Sequence, residues 1–180
     1  MRPLVVTLPG YQGSTAMHWQ TLWEQKHPFF LRAEQRDWDH PVAEEWADQL
    51  EKTLQQCEEP VILVTHSIGC LVLAHWANRP HTPIKSALIV APPDPNASAF
   101  PSDAQGFEQT PMIPFEFPSI ILASANDPYA SLEYSHHLAQ AWGSRFVNLG
   151  ALGHINLQSN LGAWEEGYAY LESLLSFPKA

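Results

Sequence analysis

The sequence has little cysteine and little positive charge, and each shortage excludes a class of protein. Its 180 residues include only two cysteines, Cys57 and Cys70, which are too few for a disulfide framework and fit no metal-binding spacing. Nine basic residues stand against 19 acidic ones, so the formal net charge is −10 at pH 7 with histidine neutral. Because nucleic-acid phosphates and anionic membrane surfaces repel so acidic a chain, we expect neither as a partner.

Long hydrophobic runs are also absent from the sequence. The apolar run nearest the N-terminus covers residues 4–8 and lies between Pro3 and Pro9, so it is too short for a secretory signal or a membrane span. We therefore expect a cytoplasmic protein. Apolar residues still make up 45% of the chain, which is enough for a folded core, and the length fits one domain over residues 1–180.

Proline is the residue in excess. The chain has 16 prolines, about 9% of its residues against a usual ~5%, and seven of them lie within residues 92–118. This segment has no helical or strand periodicity and is long for a connection within a compact domain. Two interpretations stay open: a functional rim or lid over a site, and a solvated crossover between elements.

Short β-branched runs alternate with longer helical patterns along the whole chain. Buried strands are predicted at residues 4–8, 61–65, 84–91 and 119–124, and short strands at residues 29–33 and 145–149. Helices are predicted at residues 14–26, 42–56, 68–78, 131–142 and 163–175, the first with Ser14 or Thr15 as its N-cap. This alternation is typical of a parallel sheet with helices on both faces.

Reactive side chains follow three of the predicted strands. In open parallel sheets, ligands bind beyond the carboxyl ends of the strands. The sequence THSIG, with Ser67 at its centre, follows the third strand and matches the nucleophile-elbow pattern G-x-S-x-G except that Thr65 replaces the first glycine. Asp127 follows the fifth strand and His154 the sixth. This chain order is the one expected of α/β-hydrolases, so we predict a catalytic triad of Ser67, Asp127 and His154.

Each predicted triad member has a role that its chemistry allows. The imidazole of His154 accepts the proton of Ser67 and later returns it to the leaving group, while Asp127 fixes the imidazole tautomer. Taken singly, the three residues also fit an N-cap, an Asx-turn and a polar loop residue. Their coincidence at three strand ends favours catalysis. Asp94, which follows the fourth strand, is a competing candidate for the acid.

An acyl-transfer site also needs backbone donors for the oxyanion. The N–H of Ile68, directly after the nucleophile, is one predicted donor. The second is predicted in the glycine-containing loop at residues 9–14, with Tyr11 as first choice and Gln12 behind it. Trp38 and Tyr11 are the candidates for lining the substrate pocket.

The remaining reactive residues are predicted to have structural roles. His66 and Cys70 lie beside the predicted nucleophile, and we interpret both as packing residues. The adjacent His136 and His137 point to different sides of a helix and make a poor metal pair. We expect no metal and no organic cofactor.

Several motifs occur in an order that resembles a known family. They are LPGYQGS, HW at residues 18–19, DWDHP, THSIGC, VAPPD, SANDPY, LGHIN and WEEG. Together they resemble the small α/β-hydrolase serine hydrolases related to the retinoblastoma-binding serine hydrolase and to bacterial YdeN. The resemblance implies Ser67, Asp127 and His154 as the triad, with esterase or amidase activity on small substrates. The retinoblastoma-interaction motif L-x-C-x-E is absent, since residues 54–58 read LQQCE, and that partnership is not carried over.

The sequence as a whole predicts a reduced α/β-hydrolase fold. We expect a six-stranded parallel sheet in the order 2-1-3-4-5-6, helices on both faces and no large lid. The expected activity is cleavage of small carboxylic esters, thioesters or amides through an acyl-enzyme on Ser67. Two alternatives stay open: a cofactor-free perhydrolase or lyase with the same triad, and a catalytically idle interaction module.

Overall fold

The computed structural model describes residues 3–175 and contains one parallel sheet. Its strands are β1 (Val5–Leu8), β2 (Phe30–Arg32), β3 (Ile62–His66), β4 (Ser86–Val90), β5 (Ser119–Ala123) and β6 (Arg145–Asn148). They lie in the order β2-β1-β3-β4-β5-β6, and every neighbouring pair is parallel. The predicted fold and strand order are confirmed, and all carboxyl ends meet at one edge.

Within residues 3–175, four helices lie between strands, and a short 3-10 helix and a fifth helix follow β6. They are α1 (Trp19–Lys26), α2 (Ala43–Leu54), α3 (Ile68–Ala77), α4 (Leu132–Trp142), α5 (Glu165–Leu175) and the 3-10 helix Leu157–Ser159. None of the helices within residues 3–175 is long and apolar enough to cross a membrane.

The sheet separates two apolar cores, because successive side chains of a strand point to opposite faces. On one face, Leu63 of β3 packs with the buried sides of α2, α3 and α4. On the other, Ile62 and Val64 pack with α1 and α5. Strand β3 is buried along its whole length, in keeping with the apolar run ILV at its start.

Helix α1 begins later than the sequence predicts. Its N-cap is His18, whose Nδ1 accepts the backbone N–H of Gln20 at 3.2 Å. The predicted caps Ser14 and Thr15 were wrong. The hydroxyl of Ser14 donates instead to the side-chain oxygen of Gln20 at 2.6 Å, so Ser14 is directed across the loop and not into a helix start.

The proline-rich segment forms no regular element between β4 and β5. Gln105 forms an isolated bridge with Val42, directly before α2. Phe107 and Phe117 are buried in the core on the α2, α3 and α4 side of the sheet. The segment therefore packs against this core, and no large lid is present among residues 3–175, as predicted.

Candidate active site

Ser67 occupies a strained turn between β3 and α3. Its backbone has φ 53° and ψ −130°, a conformation that non-glycine residues rarely adopt. The loop after β1 approaches this turn closely. A Cβ atom at Gly10 would lie 2.6 Å from the Cβ of Ser67, and one at Gly69 would lie 2.5 Å from the carbonyl oxygen of Leu8. The two glycines therefore allow the close approach that this turn requires.

Thr65 stands where the elbow pattern has its first glycine. It is fully buried, and its hydroxyl donates to the sulfur of Cys70 at 3.2 Å. The thiol of Cys70 donates in turn to the carbonyl oxygen of Val90 at 3.3 Å. Burial raises the pKa of this thiol to about 12, so it stays protonated. Cys70 thus accommodates the larger threonine, in keeping with its interpretation as a packing residue.

The structure brings Ser67, His154 and Asp127 into one hydrogen-bonded chain. Nε2 of His154 lies 2.8 Å from Oγ of Ser67, and Nδ1 lies 2.9 and 2.8 Å from the two oxygens of Asp127. A carboxylate accepts hydrogen bonds, so Nδ1 carries the proton and Nε2 is free to accept from the serine hydroxyl. The side chains of His154 and Asp127 are only 7% and 3% exposed, which keeps this chain away from bulk water.

Asp127 also has the turn contact that its sequence context predicts. One of its oxygens accepts the backbone N–H of Tyr129 at 2.9 Å, so the Asx-turn and the contact with His154 coexist. The competing candidate Asp94 is engaged elsewhere. Its carboxylate accepts the backbone N–H of Asn96 at 2.8 Å and closes its own turn.

The loop that carries His154 is fixed by the loop after β5. The side-chain oxygen of Asn126 accepts the N–H of Gly153 at 2.7 Å, and the hydroxyl of Ser124 accepts the N–H of Leu152 at 2.9 Å. Ser124 also donates to Asn126 at 3.0 Å, which joins the two contacts. The position of His154 relative to Asp127 therefore depends on a small polar network.

Two ring N–H groups hold the same loop from the other side. Nε2 of His66 donates to the carbonyl oxygen of His154 at 3.0 Å, and the indole of Trp19 donates to that of Ile155 at 2.8 Å. Ile155 has φ 49°, so these bonds support a strained backbone. Burial lowers the pKa of His66 well below its ordinary value and keeps the ring neutral. The sequence predicted only packing for His66, and the HW motif was the available signal for Trp19.

The predicted oxyanion loop forms a tight turn beside Ser67. The N–H of Gly13 donates to the carbonyl oxygen of Gly10 at 2.9 Å, and Gln12 takes the left-handed conformation with φ 61°. The backbone N–H of Gln12 already donates to the carbonyl oxygen of Trp38 at 2.8 Å. The N–H groups of Tyr11 and Ile68 have no protein acceptor within residues 3–175.

A groove of about 280 Å³ opens above Ser67. Its walls come from the loops after β1, β3, β4, β5 and β6. They are formed by Gly10, Tyr11, Gln12, Gly13, Thr15, His18, His66, Ser67, Ile68, Pro93, Pro101, Tyr129, His154, Asn156, Leu157 and Gln158. The proline-rich segment supplies only two of its seven prolines to this wall, Pro93 and Pro101, and no Lys, Arg, Asp or Glu takes part.

Trp38 lies outside the groove, unlike the sequence prediction. Its ring contacts Trp46 with centroids 5.3 Å apart, and a Cβ at Gly13 would lie 3.4 Å from it. Trp38 therefore supports the loop after β1 from behind. Within the described chain, no group of three or more His, Cys, Asp or Glu side chains is arranged to hold a metal ion.

A parallel sheet in this order, with a strained serine between β3 and α3, defines an enzyme of the α/β-hydrolase fold. The family model described as "Serine hydrolase" matches residues 5–173. The chain belongs to this serine hydrolase family.

Solved structures agree with this assignment. A YdeN-like hydrolase from Pectobacterium atrosepticum is 32% identical, with a TM-score of 0.84 over 96% of this chain and 90% of that one. The ydeN gene product of B. subtilis is 20% identical, with a TM-score of 0.78 over 97% and 100% of the two chains. The RedJ thioesterase of Streptomyces coelicolor, at 14% identity, shares the fold with a TM-score of 0.69 over 96% and 90%. No curated protein sequence matches the chain significantly.

Proposed function

We propose that this serine hydrolase cleaves small carboxylic esters, thioesters or amides through an acyl-enzyme on Ser67. The observation that carries the proposal is the continuous hydrogen-bonded chain from Ser67 through His154 to Asp127. The groove volume of about 280 Å³ suits a small molecule. Thioesters are included because RedJ, which shares the fold, is a thioesterase.

In the first half of the proposed reaction, Oγ of Ser67 attacks the carbonyl carbon while its proton passes to Nε2 of His154. The bond to the leaving group then breaks, and His154 returns the proton to the departing alcohol, thiol or amine. In the second half, a water molecule attacks the acyl-enzyme by the same proton transfer and releases the acid. Asp127 holds the imidazole in the required tautomer throughout.

The negative charge that develops on the substrate oxygen needs donors in place beforehand. We assign this role to the N–H groups of Ile68 and Tyr11, because both are without a protein acceptor in the described chain. The helix that begins at Ile68 adds a favourable dipole at the same point. Gln12 ranks behind them because its N–H is already bonded to Trp38.

The proposal is tested by trapping the nucleophile with a fluorophosphonate probe. We expect stoichiometric labelling of the wild type and none of Ser67→Ala, with hydrolysis of a p-nitrophenyl ester reduced about 10⁴-fold or more. Ser98→Ala, which changes an exposed serine, is the matched control and should label like the wild type. An unlabelled wild type at pH 8, or equal labelling of Ser67→Ala, contradicts the proposal.

A further inference from the structure

The HW motif places a histidine in the groove that the proposed reaction does not use. His18 is 5% exposed and forms part of the groove wall together with Ser67 and His154. Its ring centroid lies 4.9 Å from that of His66, which lies 5.1 Å from that of His154. His18 is therefore two rings away from the reacting atoms.

The contacts of His18 determine which of its nitrogens carries the proton. Nδ1 accepts the backbone N–H of Gln20 at 3.2 Å as the N-cap of α1, so it has no proton of its own. In the neutral ring the proton then lies on Nε2. Within residues 3–175, Nε2 has no hydrogen-bond acceptor and is not fully buried, and the groove is the cavity that His18 lines.

His18 stays uncharged over the working range of pH. Burial lowers its pKa from 6.5 to about 4, and the positive charge of Arg32 acts in the same direction. Its surroundings in the groove are also uncharged, since no Lys, Arg, Asp or Glu lines the wall. A charged substrate group would lose its hydration here without gaining an ionic partner. The net charge of −10 further disfavours an anion.

We propose that Nε2 of His18 donates a hydrogen bond to an uncharged oxygen of the substrate. The site then favours small neutral esters that carry an ether, hydroxyl or carbonyl oxygen in addition to the ester group. This inference rests on the proposed function, because it assigns a substrate class to the same groove. His18 acts as a specificity-determining residue and takes no part in proton transfer.

The test compares two esters of equal size that differ by one oxygen. p-Nitrophenyl methoxyacetate has an ether oxygen where p-nitrophenyl butyrate has a methylene group. The measured quantity is the ratio of kcat/KM for the first ester to that for the second. Dividing the wild-type ratio by the variant ratio cancels the intrinsic reactivity of the two esters. The pair 2-methoxyethyl acetate and butyl acetate repeats the comparison in the alcohol part.

Two substitutions separate the donor of His18 from its capping role. His18→Asn keeps an N-cap acceptor but places no donor at the position that Nε2 of His18 occupies in the wild type. His18→Gln places an amide N–H near the position of Nε2 but is a poor N-cap. For at least one ester pair, we expect the ratio to fall about fivefold to tenfold in His18→Asn, the value of one neutral hydrogen bond, and to stay within about twofold in His18→Gln.

The opposite pattern overturns the proposal. If capping is the whole role of His18, His18→Asn retains the wild-type ratio for both ester pairs. His18→Gln then differs from the wild type only in its lower thermal stability. Faster hydrolysis of the anionic p-nitrophenyl hemisuccinate than of the neutral esters also overturns it. If the wild type labels at Ser67 but His18→Asn has the wild-type ratio for both ester pairs, only the role of His18 is refuted. Absence of labelling refutes the proposed function, and this inference with it.

Discussion

Two connections at the carboxyl edge of the sheet differ in what their contacts hold in place. The loop after β6, which carries His154, is fixed by directed hydrogen bonds with Asn126, His66 and Trp19. The proline-rich segment buries Phe107 and Phe117 in the core, and its backbone bonds within residues 3–175 run within the segment or to other parts of the domain and not to the loop with His154. Directed bonds define the position of a backbone closely, whereas apolar packing stabilises a surface without setting its direction. We therefore expect substitutions in the first connection to change catalysis and those in the second to change stability.

The largest effect is expected when the same Asp-to-Asn substitution is made at the partner of His154 and in the proline-rich segment. Asp127→Asn should lower kcat/KM about 10⁴-fold, because the amide stabilises the wrong imidazole tautomer of His154. Asp94→Asn, in the proline-rich segment, should keep kcat/KM within about threefold of the wild type, since the carboxylate of Asp94 only closes a turn with Asn96. Steady-state kinetics with a p-nitrophenyl ester measure both. Equal losses in the two variants would remove the distinction between the connections.

A substitution in the core-facing part of the proline-rich segment should lower stability and leave catalysis nearly unchanged. Phe107 is 1% exposed and contacts the ring of His75, with centroids 5.9 Å apart. Phe107→Ala should lower the free energy of unfolding by about 3–5 kcal/mol, because it leaves a cavity in the core. Urea denaturation measures this loss, and kcat of the remaining folded protein should change little. Phe100→Ala, at a half-buried ring of the same segment, is the control for which a smaller loss is expected.

The third prediction concerns the network that positions His154. Asn126→Ala removes the acceptor for the N–H of Gly153, so we expect kcat to fall about 10²-fold as the imidazole loses its alignment. The control is Asn148→Ala, which removes a similar 2.9 Å bond to the N–H of Gly150 at the start of the same loop. Comparable kcat values for the two variants would show that the network does not position His154.

The smallest effect is a dependence of stability on pH that comes from the groove histidines. Burial lowers the pKa of His18 to about 4 and that of His66 well below its ordinary value. Below pH 6.5 the unfolded chain binds protons that the folded chain does not, so stability is fully present above pH 6.5 and is lost towards pH 4. His18 alone accounts for about 2 kcal/mol between pH 7 and pH 5.

Urea denaturation at these two pH values measures that dependence. His18→Asn retains the N-cap and should show a smaller loss of stability on acidification than the wild type. His137→Asn, at an exposed helix position, should behave like the wild type. An equal pH dependence in His18→Asn and the wild type would show that His18 is not a buried neutral ring.

The sheet was predictable because strand burial leaves a local signal. The apolar run around Val64 and the turn at Ser67 are both visible within a few residues of sequence. The sequence also placed Ser67, Asp127 and His154 after separate parallel strands, whose carboxyl ends must meet. The structure brings these side chains within hydrogen-bond distance, and their catalytic roles stay predictions.

Contacts between distant loops could not be predicted in the same way. The bond from Gln12 to the carbonyl oxygen of Trp38 depends on how the loops after β1 and β2 pack together. No local pattern in either loop indicates that contact. The late start of α1 has a similar cause, because Ser14 finds its partner in the side chain of Gln20. The role of His66 depends on the fold of a loop that follows much later in the chain.

The proline-rich segment also offers a position at which the length of the chain can vary. It contributes Pro101 to the groove wall, and Ser98 and Ala99, just before Phe100, lie exposed. An insertion at this tip adds material beside the groove without displacing the polar network around His154. The domain therefore has a place where chain length can change while Ser67, His154 and Asp127 keep their geometry. A longer loop there would change what the groove can hold and leave the proposed catalytic centre as it is.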